Sequence, residues 1–241
     1  MNIMNIDSQF TDLRLHGMHR SWQALTETRQ HLELTLADGL QVLLQAESED
    51  RSNRRFQRLT QNARFRYQAS IEELHMDASK GMDKALISRL ATGQYLTNGE
   101  SVLITGATGC GKSFLASALG NRACMQGYKV AYFNLQKLLI KIKMARVEGS
   151  ILKFFDKLAK IDLLILDDFG LTHLPQQHCL DLMELTEDRH ARCSTIIASQ
   201  LPVASWYDVF AEETIADAIL DRLIHTSHRI ELTGESLRKK L

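Results

Sequence analysis

The residues with the clearest chemical signature lie in one short glycine-rich segment, GATGCGKS, at positions 106–113. Its spacing follows the pattern G-x-x-x-x-G-K-[ST], a loop whose backbone N–H groups surround phosphate oxygens. Glycine suits such a loop because it turns tightly and lets the backbone approach phosphate where a Cβ would collide. An apolar run precedes the segment and a helical pattern follows it. This context favours a phosphate-binding loop over a chance match.

The loop residues have distinct predicted roles. Lys112 is expected to reach the β and γ phosphates of ATP, and Ser113 to present its hydroxyl to Mg²⁺. A helix that begins near Lys112 would direct its N-terminal dipole at the phosphates. Cys110 is read as a tolerated small side chain rather than a redox group. The predicted nucleotide-binding residues are Gly106, Ala107, Thr108, Gly109, Cys110, Gly111, Lys112 and Ser113.

A pair of carboxylates, Asp167 and Asp168, ends the apolar run in KIDLLILDDFG (160–170). The first is expected to hold Mg²⁺ opposite Ser113, and the second to orient or deprotonate the attacking water. A helix N-cap is the alternative, but it leaves the apolar run and the spacing from Lys112 unexplained. The pair favours an ATPase over a small-molecule P-loop kinase, in which Asp168 would be idle.

The elements that must position these residues follow from hydrophobic periodicity. Positions 10–96 show helical spacing of apolar residues, whereas from 101 onward short apolar runs alternate with helical patterns. The sequence therefore predicts an all-helical N-terminal domain, 1–97, and an α/β domain, 98–241, separated near Asn98-Gly99. The five predicted parallel strands are SVLIT (101–105), KVAYF (129–133), LLILD (163–167), STIIAS (194–199) and HRIEL (228–232).

One stretch of the chain is strongly basic. The chain has 29 Lys and Arg against 29 Asp and Glu, so a nucleic-acid contact must come from a local cluster. Six arginines between positions 51 and 66, with no carboxylate among them, could follow a DNA backbone, although such runs are also common on solvated helix faces. The aromatic residues among them are expected to pack. The predicted DNA-binding residues are Arg51, Arg54, Arg55, Arg58, Arg64 and Arg66, and a second basic helix carries Lys137, Lys141, Lys143 and Arg146.

Composition excludes several other classes of protein. The cysteines show neither zinc-ligand spacing nor a disulfide pattern, which fits a reducing compartment. The N-terminus lacks the charged and apolar regions of a secretion signal, and no run of eighteen apolar residues occurs. The sequence predicts a cytoplasmic protein without a membrane partner. The four cysteines are Cys110, Cys124, Cys179 and Cys193.

In these motifs the chain resembles the IstB family of transposition helper ATPases, which belongs to the AAA+ class and is close to the DnaC helicase loaders. The resemblance implies an AAA+ P-loop fold and a protein that forms homo-oligomers on double-stranded DNA. It also implies ATP-dependent selection of target DNA and recruitment or stimulation of a cognate transposase, with hydrolysis resetting the assembly. The alternative is a DnaC-like replicative helicase loader. The motifs that carry the resemblance are LRLHGM (13–18), GATGCGKS, LLILDDFG (163–170), STIIASQLP (194–202), ADAILDRLIH (216–225) and GESLR (234–238).

The same resemblance assigns three further residues. Arg222 matches the arginine finger that enters a neighbouring subunit's site, although the residues alone favour a solvated ion pair beside Asp221. The polar sensor is Ser199 or Gln200, where related proteins generally have asparagine. Gln200 is favoured because its amide can donate to a phosphate oxygen. Arg238 matches a second sensor, but too few residues follow Arg222 for a helical lid, which is predicted to be absent or minimal.

Overall fold

The first part of the chain folds as three helices. The computed structural model describes the backbone of residues 3–233 and the side chains of residues 6–233. It divides into two compact units, Met1–Arg58 and Leu59–Leu241. The helices of the first part are α1 (Ile3–Asp12), α2 (His16–Glu27) and α3 (Leu36–Ala63), the last of which continues into the second unit.

The LRLHGM segment forms the junction between α1 and α2. A Cβ on Gly17 would lie 2.4 Å from the carbonyl oxygen of Ala46, so only glycine allows α2 to approach α3 this closely. The first N–H groups of a helix have no partner within it. Here the carboxylate of Glu47 on α3 accepts hydrogen bonds from the backbone nitrogens of Gly17 (2.7 Å) and Met18 (3.2 Å). This carboxylate therefore joins α2 to α3.

The second unit is a parallel five-stranded sheet with helices packed on it. The strands are β1 (Ser101–Gly106), β2 (Val130–Asn134), β3 (Leu163–Phe169), β4 (Ser194–Ser199) and β5 (Ser227–Leu232). The remaining helices are α4 (Lys84–Ala91), α5 (Gln94–Asn98), α6 (Lys112–Met125), α7 (Leu135–Val147), α8 (Ile151–Ala159), α9 (Gln176–Arg189) and α10 (Glu213–Ile224). The strand order is β2-β3-β4-β1-β5.

The strand prediction is confirmed, with shifts of one or two residues at the ends. The strands are continuous apolar runs because a parallel sheet covered by helices buries both faces of its strands. Leu163, Leu164 and Ile165 of β3 are fully buried. All five strands are parallel, so their carboxyl ends meet at one edge of the sheet. There Asn134 of β2 lies opposite Asp167 of β3. The predicted chemical residues are thereby brought to one edge.

The division of the chain differs from the predicted one. Residues 59–97 pack with the α/β unit rather than forming part of a helical unit that ends at 97. Asn121 of α6 donates to the carbonyl of Ala69 (2.9 Å), and the backbone N–H of Thr233 donates to the carbonyl of Lys80 (3.0 Å). A Cβ on Gly120 would lie 2.5 Å from the ring of Phe65. Helical periodicity identified these residues as helical or irregular but could not show which unit they pack against.

Candidate nucleotide-binding site

The loop between β1 and α6 has the conformation that its glycines permit. Gly106, Gly109 and Gly111 have φ values of 144°, 85° and 100°, which residues with a Cβ rarely adopt. A Cβ on Gly106 would also lie 2.2 Å from the carbonyl oxygen of Leu232 on β5. The loop is thus fixed between two strands, and its backbone is free to surround a phosphate group.

Lys112 is the first residue of α6 and is nearly buried. Its ammonium donates to the carbonyl oxygens of Gly106 (2.8 Å) and Ala107 (2.7 Å), across the mouth of the loop. The charge lies where the N-terminal N–H groups of α6 also point, and both features favour a bound anion. The sulfur of Cys110 lies 3.9 Å from the same ammonium and belongs to a free, buried thiol.

A β-bulge turns the two acidic residues of β3 toward the same place. Successive side chains of a regular strand point to opposite faces. The pairing of β3 with β4 is interrupted between Leu166 and Phe169, and Asp168 has a φ of 57°. As a result, the carboxylates of Asp167 and Asp168 both lie within 3.3 Å of one nitrogen, Nη1 of Arg66. The bulge therefore creates a shared acidic site.

Strand β2 supplies two partners of these carboxylates that the sequence analysis missed. The hydroxyl of Tyr132 donates to Asp167, and the side-chain amide of Asn134 donates to Asp168 (2.8 Å). Burial, and then the hydrogen bond to Asp167, raise the pKa of the Tyr132 phenol far above its usual value, so this group stays a donor. Asn134 also accepts a hydrogen bond from the backbone of Lys137 and caps α7. The position of Asn134 between a predicted strand and a basic helix was the sequence feature that could have identified it as a site residue.

The phosphate-binding loop and the acidic end of β3 lie on either side of the carboxyl end of β4. Thr105, just before the loop, pairs with Ser199 of β4, and Phe169, just after the acidic pair, pairs with the same residue. A hydroxyl and a carboxylate are hard oxygen ligands of the kind that Mg²⁺ takes, together with phosphate oxygens and water. In the described part of the chain no three His, Cys, Asp or Glu side chains form a metal cage. The Ser113 hydroxyl and the Asp167 carboxylate are oxygen donors that fit a Mg²⁺ ion arriving with a nucleotide.

The two sensor candidates occupy different environments. The hydroxyl of Ser199 is buried, donates to the carbonyl of Phe169 (2.8 Å) and accepts from the backbone nitrogen of Leu201 (3.1 Å). Gln200 instead faces the phosphate-binding loop, where its side-chain oxygen accepts from the hydroxyl of Thr108 (2.7 Å). The second candidate sensor, Arg238, lies outside the described residues.

Arg222 lies on α10, at the end of the sheet opposite the phosphate-binding loop. It lines a small cavity with Ser101 and Cys193, which lie at or just before the amino ends of β1 and β4. Its guanidinium pairs with Glu187 of α9 and donates to the carbonyl of Ala218 (2.7 Å). A six-residue strand spans about 20 Å. Arg222 is thus a strand length from its own chain's loop.

The predicted DNA-binding arginines are divided between the two units. On α3, Arg51 pairs with Glu47 one helical turn earlier, and Arg54 pairs with Asp50 one turn earlier and with Glu47 two turns earlier. These carboxylates lie just before the stretch that the sequence analysis took as one-signed. An open cavity of about 330 Å³ on this unit has exclusively arginine lining, and it adds one residue that the sequence analysis missed. The lining residues are Arg14, Arg51, Arg54, Arg55 and Arg58.

The last two of the six arginines lie in the second unit, next to the acidic site. Arg64 and Arg66 line an open cavity of about 560 Å³ together with Lys137, Lys141 and both aspartates of β3. The grouping of Arg66 with the DNA contacts is not supported, since its guanidinium is bonded to Asp167 and Asp168. The neighbouring rings of Phe65 and Tyr67 pack on Tyr132 and Phe114, as expected for packing aromatics.

The second basic helix, α7, is only partly available to a ligand. Arg146 pairs with the buried carboxylate of Asp181. The ammonium of Lys141 lies 5.4 Å from the ring centre of Phe133. Lys137 and Lys143 are exposed. Within residues 3–233 no helix combines the length and the apolar character needed to cross a bilayer.

The sheet order, the phosphate-binding loop after β1 and the acidic end of β3 define a P-loop nucleotide-binding domain of the AAA+ class. The chain belongs to the family of IstB-like ATP-binding proteins, whose sequence model matches residues 8–241. The predicted fold class and the predicted family are both confirmed.

Relatives from several bacteria align over most of the chain. An insertion sequence ATP-binding protein of Sinorhizobium fredii is 40% identical over 225 residues, which cover 93% of this chain and 92% of the relative. The IS1162 ATP-binding protein of Pseudomonas fluorescens is 38% identical, covering 81% of this chain and 85% of the relative. The IS21 ATP-binding protein of Pseudomonas aeruginosa is 29% identical, covering 94% and 86%.

Solved structures share the fold at low sequence identity. The DnaC helicase loader superposes with a TM-score of 0.61 at 19% identity, covering 69% of this chain and 98% of that structure. DnaI superposes with a TM-score of 0.60 at 18% identity, covering 73% and 94%. AMPPCP-bound DnaA from Aquifex aeolicus has a TM-score of 0.59 at 19% identity, covering 73% and 53%. These likenesses establish the fold alone.

Proposed function

We propose that this protein is an ATPase that assembles on double-stranded DNA, selects target DNA and recruits or stimulates a transposase, with ATP hydrolysis resetting the assembly. The observation that carries the proposal is the pairing of Thr105 and Phe169 with the same residue of β4, Ser199. This pairing brings the triphosphate-binding loop after Thr105 and the acidic pair before Phe169 to the same end of the sheet. Relatives described as insertion sequence ATP-binding proteins support the biological setting.

In the proposed mechanism the loop and Lys112 bind the phosphates of ATP. Lys112 exchanges its two carbonyl acceptors, Gly106 and Ala107, for phosphate oxygens. Ser113 and Asp167 would hold Mg²⁺, which neutralises charge on the phosphates. The buried position of Asp167 suits this role, because a carboxylate there gains more from a bound cation than an exposed one does.

Asp168 is the proposed general base or water-positioning residue. Its carboxylate is partly exposed and borders the cavity beside the site. While it accepts from Asn134 and Arg66, it has less capacity to accept a proton from water. Gln200, which reaches the loop through Thr108, would donate to the γ phosphate as the sensor.

The position of Arg222 supports self-association as part of the proposal. A guanidinium at the far end of the sheet cannot stabilise charge on its own chain's γ phosphate, but it can enter the site of a neighbour in a head-to-tail assembly. Each subunit would then supply the loop and the acidic pair, and its neighbour would supply the finger. Assembly and turnover would be coupled for this reason.

The arginine cavity of the first unit is the proposed DNA contact. Five guanidinium groups around one cavity repel one another unless an anion is present, and Glu47 and Asp50 offset only part of the charge. A phosphodiester backbone supplies a row of such anions. Arg14, at a φ of 56° in the turn after α1, joins the four arginines of α3 there.

Salt dependence tests this DNA contact. If about four to six phosphates are neutralised, the slope of log affinity against log salt is expected to be roughly −4 to −5. Replacing Arg55 and Arg58 together by alanine should reduce the slope by about 2 units. A charge-matched control replaces Lys153 and Lys157 on α8, both exposed, and should leave it unchanged. An unaltered slope in the arginine variant would remove this cavity from the DNA interface.

Two rival functions share parts of the site. A DnaC-like helicase loader would have the same ATPase core, and its first unit would bind a helicase ring. The fold, which is similar to that of DnaC, is compatible with this rival function. A small-molecule P-loop kinase would not respond to DNA. The test is ATP hydrolysis with and without DNA, followed by capture of purified transposase or replicative helicase by the full chain. Transposase capture and DNA-stimulated hydrolysis are expected; helicase capture alone, or hydrolysis indifferent to DNA, would overturn the proposal.

A further inference from the structure

Arg66 makes the contact least expected from its place in the sequence. Its Nη1 lies 3.2 Å from Oδ2 of Asp167 and 3.3 Å from Oδ2 of Asp168, although a hundred residues separate it from them along the chain. It is carried by an irregular segment that begins where α3 ends, after Arg64 at a φ of 57°. Ring packing of Phe65 on Tyr132 holds this segment beside β2.

The hydrogen bonds at Asp167 show that this guanidinium occupies a carboxylate oxygen that a metal ion would use. A carboxylate oxygen has two lone pairs. Oδ2 of Asp167 accepts from both the Tyr132 hydroxyl and Arg66, and Oδ1 accepts from the backbone nitrogen of Asp168. A cation that binds Oδ2 must therefore displace one of its two donors.

Arg66 is the donor that can leave. Tyr132 is mostly buried within β2, so its hydroxyl has little room to move away from Asp167. The Arg66 side chain is 41% exposed and borders the open cavity beside the aspartates. Arg64, Lys137 and Lys141 also line that cavity, so a released guanidinium enters a basic surrounding that favours its return.

We propose that Arg66 is a positioning residue that neutralises the Asp167–Asp168 pair in the absence of a metal ion and competes with Mg²⁺ for it. The proposal rests on the proposed nucleotide site. Two neighbouring carboxylates with one buried member require a positive charge, and Arg66 and Mg²⁺ supply it in turn. Arg66 thereby sets how much Mg²⁺ the site requires, and its segment moves when the exchange occurs.

The test compares Mg²⁺ dependence in the full chain with and without this guanidinium. A fluorescent ATP analogue is titrated against each protein in EDTA, and then Mg²⁺ is titrated at a fixed analogue concentration. Arg66→Gln should lower the half-saturating Mg²⁺ concentration by about tenfold, since a charge-assisted competitor is lost. Affinity in EDTA should stay within about threefold, because the loop and Lys112 bind the phosphates.

Two more variants keep the outcome decisive. Arg66→Lys retains a charge but not the forked geometry, and should give an intermediate Mg²⁺ requirement. Arg64→Gln removes an equal charge from the same segment and should shift the requirement by less than about twofold. An unchanged or higher Mg²⁺ requirement in Arg66→Gln, or a loss of affinity in EDTA, would overturn the proposal. Wild-type protein that fails to bind the analogue even with Mg²⁺ would instead refute the proposed function.

Discussion

Asp167 and Asp168 are consecutive residues, yet their carboxylates converge on one point, within 3.3 Å of the same guanidinium nitrogen. The bulge in β3 and the left-handed backbone of Asp168 bring this about. Asp167 is tied to the strand by its Oδ1 and by Tyr132, whereas Asp168 is held from the side by Asn134. The two acids can thus serve different steps, one for the metal ion and one for water.

Asn134 is expected to restrain Asp168 before hydrolysis. Asn134→Ser keeps a side chain able to cap α7 but removes the amide that donates to Asp168. Loss of a hydrogen bond worth about 1 kcal/mol should raise DNA-independent hydrolysis by up to about fivefold. Gln136→Ser, which removes a neighbouring amide bonded to Thr172, is the control and should leave the rate unchanged. A lower rate in Asn134→Ser would show that Asn134 assists catalysis directly.

The sensor assignment predicts opposite phenotypes for adjacent residues. Gln200→Ala should reduce kcat by about 10²-fold with little change in KM, because its amide acts on the γ phosphate during reaction. Ser199→Ala removes a buried hydroxyl that joins Phe169 to Leu201. It should lower the free energy of unfolding by about 1–3 kcal/mol and largely preserve kcat. Steady-state kinetics and thermal unfolding distinguish the two; a reversed pattern would make Ser199 the sensor.

Gly106 tests whether the loop geometry is required. Gly106→Ala places a Cβ 2.2 Å from the Leu232 carbonyl at a φ of 144°, so the loop must shift. We expect a loss of ATP affinity of at least about tenfold, together with reduced stability. The control is Gly149→Ala, where φ is 70° but the Cβ would meet no atom within 4 Å. It should cost only about 1 kcal/mol of stability and leave affinity intact. Equal effects of the two substitutions on ATP affinity would mean that the loop accommodates a Cβ at position 106 and that its geometry is not required.

Arg222 and Asp168 should complement each other between subunits. Arg222→Ala and Asp168→Asn proteins should each hydrolyse ATP poorly alone. In an equal mixture, interfaces that combine the intact acidic pair of one variant with the finger of the other should restore about a quarter of wild-type activity. A mixture as inactive as its components would contradict a finger that acts between subunits. Arg192→Ala, at an exposed site, is a control that should remain active.

Local sequence patterns were sufficient to predict the strands and the phosphate-binding loop. They failed to predict contacts between residues that are far apart in the sequence. Apolar runs in the sequence indicate buried strands, and the glycine spacing indicates the backbone geometry of the phosphate-binding loop. Arg66 was grouped with DNA contacts because neighbours in sequence were taken as neighbours on one surface. The end of α3 at Ala63 separates them.

The partners of the acidic pair were missed for a similar reason. Tyr132 and Asn134 come from a strand that precedes β3 by about thirty residues, and neither has a catalytic type or spacing that a single sequence displays. The carboxylates that pair with the arginines of α3, Glu47 and Asp50, lie just before the basic run. Only helical geometry, with neighbours at i and i+4, brings Glu47 to Arg51.

The most direct test of the account is the rate of DNA-stimulated ATP hydrolysis by Asp168→Asn, measured beside its affinity for Mg-ATP. The account predicts that turnover falls by at least about a hundredfold while affinity stays within about threefold of wild type. Turnover that remains undiminished would contradict the proposal that the loop after β1 and the acidic end of β3 form one hydrolytic site.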